Sequence, residues 1–414
     1  MQKLIDYLQQ KFYYLGIIEG YIEPPLTILS ISDVILFLVT CCAFYFFKEN
    51  KTLLFLSLVI YIFIVSYSQF IYAPFIGSDF RITCQGVSDY IVNQQNPYEK
   101  LYYDEKHNVA MNTGIMPILF FPMSLFCTIN PIIISIFIYV IVVSAVFLKT
   151  NNIYSVLILF FFNSFFWEVR TSNPTHLILL LLAGSLLFNK YKVLHLFLLG
   201  FALGIKPYML VVGLIYVIYY EKFKYTLLYC FSGISPLLIS FLIDRDLFIQ
   251  FLNRWLKNSS GKSRSFNDFS GYEFESMYIF QPSIIFEVLL LNNFIILGFV
   301  YLVLLFVVLK YKNFMISFNI IVFVFILNPR LKPYEFVILN ILIILLILKE
   351  QKYFDFNTVV LCFYLIPAVL FITGAVIEGS VINNYANLIG IGVFYILQII
   401  NLIKFQNNNS TIIS

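Results

Sequence analysis

The sequence predicts an all-α fold: a polytopic transmembrane helical bundle of roughly 11–13 crossings. Three observations carry that expectation. Apolar residues make up 61% of the chain and charged residues only 12%, with a mean hydropathy of +0.89. A soluble chain carries about 25% charged residues. The apolar residues fall in runs that approach the ~20 residues a helix needs to cross hydrocarbon. Those runs do not alternate as the strands of a membrane barrel do. Lipid offers no partner to exposed backbone groups, so helix is the remaining choice.

Taken in order, residues 1–27 space Leu4, Leu8, Phe12, Leu15, Ile18 and Ile22 three and four apart, the pattern of a helix lying in the membrane interface. One transmembrane domain is expected over 28–404. Its first crossings are 28–47 and 52–75. The later apolar segments are 131–148, 153–167, 174–188, 193–205, 208–220, 225–243, 293–309, 313–327, 336–348, 357–377 and 386–404. Residues 405–414 read as a disordered tail. Asp6, Glu19 and Glu23 and the absence of an early apolar core argue against a cleaved signal in residues 1–27.

Lysine-rich short loops mark the cytoplasmic side. A single parity puts Lys48/Lys51, Lys149, Lys190/Lys192, Lys222/Lys224, Lys310/Lys312, Lys349/Lys352 and Lys404 all inside. Two consequences follow. Segment 193–220 has to be a hairpin with Lys206-Pro207 at its outer tip. Segment 115–127, which carries Pro117 and Pro122, is a re-entrant or interfacial helix rather than a crossing. The outer face then receives a long loop over 76–130, a second over 244–282, and shorter turns near 168–173, 328–335 and 378–385. The stretch from Asn258 to Ser276 is Ser/Gly-rich and reads as a mobile loop. All six arginines, Arg81, Arg170, Arg245, Arg254, Arg264 and Arg330, fall on this face. Such a set suits an anionic ligand such as a phosphate, with snorkelling and loop solvation as the plainer reading. Trp167 and Trp255 fit an aromatic belt at the same boundary, and Trp255 could also stack on a sugar.

A net charge of +4 gives no case for nucleic acid. The six cysteines show no metal or disulfide-framework spacing and read as small apolar fillers. Asp104, Glu105 and His107 lie close enough to hold a metal, but a charged, solvated loop explains them more simply. No cofactor is indicated.

Asp79, in Ile76-Gly77-Ser78-Asp79-Phe80, follows the second expected crossing at once. Partial desolvation at the mouth of an apolar helix makes a carboxylate more basic, which suits a general base. A solvated helix-flanking Asp is the plainer alternative on spacing alone. Asp89 sits further along the same amphipathic stretch, as a second acid or, more simply, a solvated face residue.

Several motifs together resemble the GT-C glycosyltransferases, closest to glycosyltransferase family 87. The first outer loop, with Asp79 and then Asn96-Pro97-Tyr98-Glu99, resembles that family's Asp-aromatic, amphipathic helix and Gly-x-x-Pro-Tyr. Met116-Pro117 stands where the family has Tyr-Pro-Pro. Gly200-Phe-Ala-Leu-Gly-Ile-Lys206-Pro-Tyr208 resembles its Gly-Leu-x-x-x-Lys-Pro-Tyr, and Asn328-Pro329-Arg330-Leu331-Lys332-Pro333-Tyr334 its late Pro-Arg-x-x-x-Tyr turn. The chain departs from the family at Ser172-Asn173-Pro174-Thr175-His176, where Gly-Gln is usual, and at Arg81-Ile82-Thr83-Cys84, where an aromatic pair is common.

The resemblance implies a bundle of GT-C type. It implies transfer of a sugar, with inversion, from a polyprenyl-phosphate donor to a glycan or glycolipid acceptor on the extracytoplasmic face of a bacterial plasma membrane. Asp79 would be the catalytic base. Lys206, Arg330, Lys332 and Tyr334 would hold the donor phosphate, and Arg81, Tyr98, Arg170, Asn173 and His176 would contact substrate. Glu168 could instead pair with Arg170, and His176 could simply pack. A flippase or transporter for lipid-linked oligosaccharide, or a polysaccharide polymerase, is the alternative; a transporter should show paired broken helices in related halves, and none is visible.

Overall fold

The computed structural model describes residues 78–100, 102–104, 109–111, 115–150, 175–259, 294–326 and 336–349, with isolated positions near 50–60, 358–366 and 389–397. The expected interfacial helix 1–27, the tail, and the crossings 28–47, 52–75, 153–167, 357–377 and 386–404 lie wholly or mostly outside those residues. Among the described residues the chain is helical, with one addition to the all-α expectation. A two-stranded antiparallel hairpin pairs β1 (Tyr102–Asp104) with β2 (Val109–Met111).

Two groups of elements form. The first is a cap made of α1 (Ser78–Ile91), the hairpin, a 3-10 turn (Pro117–Leu119) and α2 (Phe120–Phe126). Helix α1 is amphipathic: Phe80, Ile82, Thr83 and Val87 are buried while Gln85 and Ser88 are exposed. The 3-10 turn and α2 together are far too short to cross a bilayer, in keeping with the prolines at 117 and 122.

The second group is a bundle: α3 (Pro131–Thr150), α4 (Thr175–Leu187), α5 (Lys192–Gly204), α6 (Pro207–Tyr220), α7 (Phe223–Ile243), α9 (Phe294–Tyr311), α10 (Phe314–Ile326) and α11 (Phe336–Lys349). Between α7 and α9 comes α8 (Arg245–Ser259), a helix inside the segment expected to be the outer loop 244–282. Helix α11 is buried from Val337 to Leu346, and all of that stretch is apolar except Asn340.

Among the described residues two helices, α3 and α7, are long and apolar enough to cross a membrane. With 20 and 21 residues they rise about 30 Å, the thickness of a hydrocarbon core. The helices α4, α5, α6, α10 and α11 have 13 or 14 residues and rise only about 20 Å. Along α7, Phe223, Leu227, Phe231, Ile234, Leu238 and Leu242 recur at intervals of three and four and stay exposed, Phe223 at 76% and Leu242 at 79%. Phe299, Leu302 and Phe306 of α9 do the same. Continuous apolar stripes of this length are not normal on a water-facing surface.

Proline sets the breaks. Pro207 is the first residue of α6, where its missing N–H is not needed, and it pushes Lys206 out of the helical region to φ −115, ψ 91. The apolar run 193–220 therefore splits into the expected hairpin. Its feet meet, with Lys192 Nζ 2.5 Å from the Glu221 carboxylate. Pro236 lies inside α7. It cannot donate to the Ser232 carbonyl, and the Ser235 hydroxyl does so instead, at 2.6 Å.

Candidate functional site

The bundle has two chemically different ends. One is the lysine end. Glu221, whose side chain is 3% exposed, lies between Lys192 at 2.5 Å and Lys349 at 3.2 Å, tying the start of α5 and the ends of α6 and α11 together. The two ammonium groups lie over the rings of Tyr225, Tyr216 and Tyr220. Lys149 is the basic residue of the last turn of α3. Phe314, which opens α10 just after Lys310 and Lys312, packs on Tyr219. The lysine loops that one parity groups together are thus gathered, for the described residues, at one end.

The other end carries the cap. Asp244 is the N-cap of α8, accepting from the Leu247 amide at 2.9 Å, and its second oxygen accepts from the Tyr90 hydroxyl of α1 at 3.4 Å. Burial, reinforced by the Asp244 carboxylate, pushes the Tyr90 phenol up. Asn96 donates to Gln250 of α8 and to Glu99, and its own carbonyl accepts from the Tyr98 amide. The Ile118 amide donates to Ser240 Oγ of α7 at 3.1 Å. Cys84 of α1 is disulfide-bonded to Cys127 at the end of α2, with Cα atoms 5.5 Å apart. This corrects the reading of all six cysteines as apolar fillers. The pair is 43 residues apart, so no local spacing could announce it.

Lys206 occupies the turn of the α5–α6 hairpin on the cap side. Helix α5 runs parallel to α7, with Lys192 over Tyr225 at one end and Gly204 against the backbone of Gly233 further along. Helix α7 continues another ten residues to Ile243, a rise of about 15 Å. The 3-10 turn of the cap meets α7 at Ser240, about 10 Å above the Gly204 contact. Lys206 therefore lies below the level at which the cap meets α7, and it is half-buried.

Helix α10 runs antiparallel to α6, from Phe314 beside Tyr219 towards the cap side. Twelve residues separate Phe314 from Ile326, so by equal rise Ile326 is level with Pro207. Helix α11 returns from Phe336 to Lys349 at the lysine end. Both ends that anchor segment 327–335 thus lie on the Lys206 side. Arg330, Lys332 and Tyr334 themselves, like Arg170 and Asn173, fall outside the described residues.

Asp79 is the second residue of α1. Arg81 is half-buried one turn-fraction later in the same helix. Tyr98 is buried; its hydroxyl donates to the Ile115 carbonyl at 2.6 Å and its ring packs on Phe120 and Phe251. It holds the cap to α8. His176 is buried in α4, edge-on to Tyr139 at 5.8 Å. Because Tyr139 lies eight residues into α3, His176 is about 12 Å below that helix's cap-side end. Asp89 accepts from Asn93 at 2.8 Å and from Lys100 and Tyr102 at 3.0 Å each. Among the described residues no group of three His, Cys, Asp or Glu side chains could hold a metal ion.

Besides the disulfide, two features that shape this end differ from what the sequence led one to expect. Helix α8 buries Leu247, Phe248 and Phe251 under the cap. Their spacing, with Leu252, was the available signal, since it is helical rather than loop-like. The Gly204–Gly233 contact, which fixes the depth of Lys206, had no signal beyond two glycines in separate helices. No family model, curated protein or solved structure matches this chain.

Proposed function

We propose that this chain is a polytopic membrane glycosyltransferase of GT-C type. It moves a sugar from a polyprenyl-phosphate donor to a glycan or glycolipid acceptor on the extracytoplasmic face of a bacterial plasma membrane. The single observation that carries the reading is the recessed Lys206 turn. A lysine at a helix break, below the end of a membrane-length helix and level with the foot of the segment bearing Arg330 and Lys332, is where a lipid-borne phosphate would need a cation. A charge at that depth is costly and suggests function. The exposed apolar stripes of α7 and α9 supply the lipid contact such a donor requires.

In this reading the acceptor oxygen attacks the anomeric carbon as its bond to the phosphate oxygen breaks. Asp79 takes the acceptor's proton. Lys206, Arg330, Lys332 and Tyr334 stabilise the charge that grows on the leaving phosphate. Arg81, Arg170, Asn173, Tyr98 and His176 shape the substrate site, the last two from buried positions. One carboxylate suffices, since a phosphate leaves without the protonation a hydrolase must provide.

The test is Asp79→Asn in the purified full-length chain, with polyprenyl-phosphate release and donor binding measured side by side. Loss of a positioned base lowers turnover by about 10²–10⁴-fold. Donor affinity should stay near wild type, because the phosphate is held by cations elsewhere. Near-normal turnover in the Asn variant would overturn the role of Asp79.

A further inference from the structure

We infer that the Cys84–Cys127 pair is a thiol-oxidation site, closed on the extracytoplasmic side of the membrane by a disulfide-exchange partner. The inference stands apart from the sugar-transfer reading: it concerns the compartment and chemistry of the cap, whatever reaction the bundle performs. Three observations support it.

The first is placement. Cys84 lies on α1 and Cys127 ends α2, and their Cα atoms are 5.5 Å apart, within bonding range. The bond joins the two helices of the cap across 43 residues of sequence. The other described cysteines, Cys230 and Cys362, are free.

The second is polarity. The pair belongs to the end of the bundle opposite Lys192, Glu221 and Lys349. Lysine-rich short loops stay in the cytoplasm, where thiols are kept reduced, whereas disulfides persist in oxidising compartments outside it. Charge and thiol chemistry, two unrelated rules, thus assign the same orientation.

The third is access. Both cysteines are half-buried rather than sealed in the bundle, so a protein or small disulfide can reach them. The step balances simply. One thiolate of the pair attacks the partner's disulfide to give a mixed disulfide. The second thiolate displaces it, leaving the cap's disulfide and two thiols on the partner, which has accepted two electrons.

The experiment counts thiols on the full-length wild-type chain in intact cells. The cells are treated with a membrane-impermeant phosphine reductant and then with a charged, impermeant maleimide, and adducts are mapped by mass spectrometry. The expected result is no adduct at Cys84 or Cys127 before reduction and adducts at both after it. Adducts at either position without reductant, or at both only after the membrane is permeabilised, would overturn the inference. In Cys84→Ser the partnerless Cys127 should react from outside with no reductant; labelling confined to permeabilised cells would count against it. In detergent, the reduced wild-type chain given oxidised glutathione should close one internal bond and retain no glutathione. Stable glutathione adducts on both cysteines would mean that the two thiols do not meet.

Discussion

Asp89 shows how one surface carboxylate can hold a cap together. Burial alone would raise its pKa. The hydrogen bonds from Asn93, Lys100 and Tyr102, with the Lys100 charge, outweigh that and hold the carboxyl below its ordinary value of 3.8. The sign of the pH effect follows. A group whose pKa is lower in the folded state stabilises the fold above its unfolded pKa, and that contribution is lost as pH falls through the folded value. The cap should therefore loosen on the acid side of 3.8. In Asp89→Asn that acid-dependent part should be largely gone, while the neutral-pH stability falls by up to about 1 kcal/mol, since the Lys100 partner is exposed. Protease sensitivity of segment 78–104, followed from neutral to acidic pH, reads both; an unchanged acid response in the Asn variant would refute the assignment.

The α5–α6 hairpin is positioned by glycine. A Cβ added at Gly204 falls on the backbone carbonyl of Gly233, and one added at Gly200 comes 2.6 Å from the Tyr229 carbonyl. Backbone cannot move aside as a flexible side chain can, so the hairpin itself has to shift. Gly204→Ala should cost about 1–3 kcal/mol by overpacking. It should also weaken polyprenyl-phosphate binding, because the shift displaces Lys206. Gly298 is the internal control: a Cβ there meets nothing within 4 Å. Gly298→Ala removes a helix-interior glycine and should be neutral or stabilising by up to about 1 kcal/mol. Thermal unfolding in detergent, with donor binding beside it, checks both variants. Equal melting temperatures for Gly204→Ala and wild type would show that α5 and α7 do not approach so closely.

For the whole molecule the decisive property is its polarity. The cap, built on Asp244, Asn96 and the 3-10 turn, sits at one end, and the Glu221–Lys192–Lys349 cluster at the other. Position 100 lies in the cap and is exposed; Tyr191, 69% exposed, lies beside the lysine cluster. A cysteine introduced at 100 should react with an impermeant maleimide on intact cells. One introduced at 191 should stay protected until the membrane is opened. Labelling of both from the same side would contradict the bundle's polarity and with it the proposed face of the reaction.

The sequence by itself determined what depends on neighbours along the chain. Pro207 after Lys206, read with the lysines at 192 and 222, was enough to break 193–220 into a hairpin, because a proline's restriction acts on the adjacent residue. Pro117 and Pro122 were enough to keep 115–127 short. Long unbroken apolar runs located α3 and α7, since helix rise and bilayer thickness are fixed lengths. The tertiary structure decided what depends on residues far apart. It paired Cys84 with Cys127, seated Tyr98 between Phe120 and Phe251, set Glu221 between two lysines from other helices, and turned the start of segment 244–282, expected as a loop, into α8 by burying Leu247, Phe248 and Phe251. Above all it set the depth of Lys206, by letting two glycine backbones touch. Local sequence fixes where a helix breaks; how far that break lies from the end of its neighbour is fixed only by side-to-side packing between helices that the chain brings together after they form.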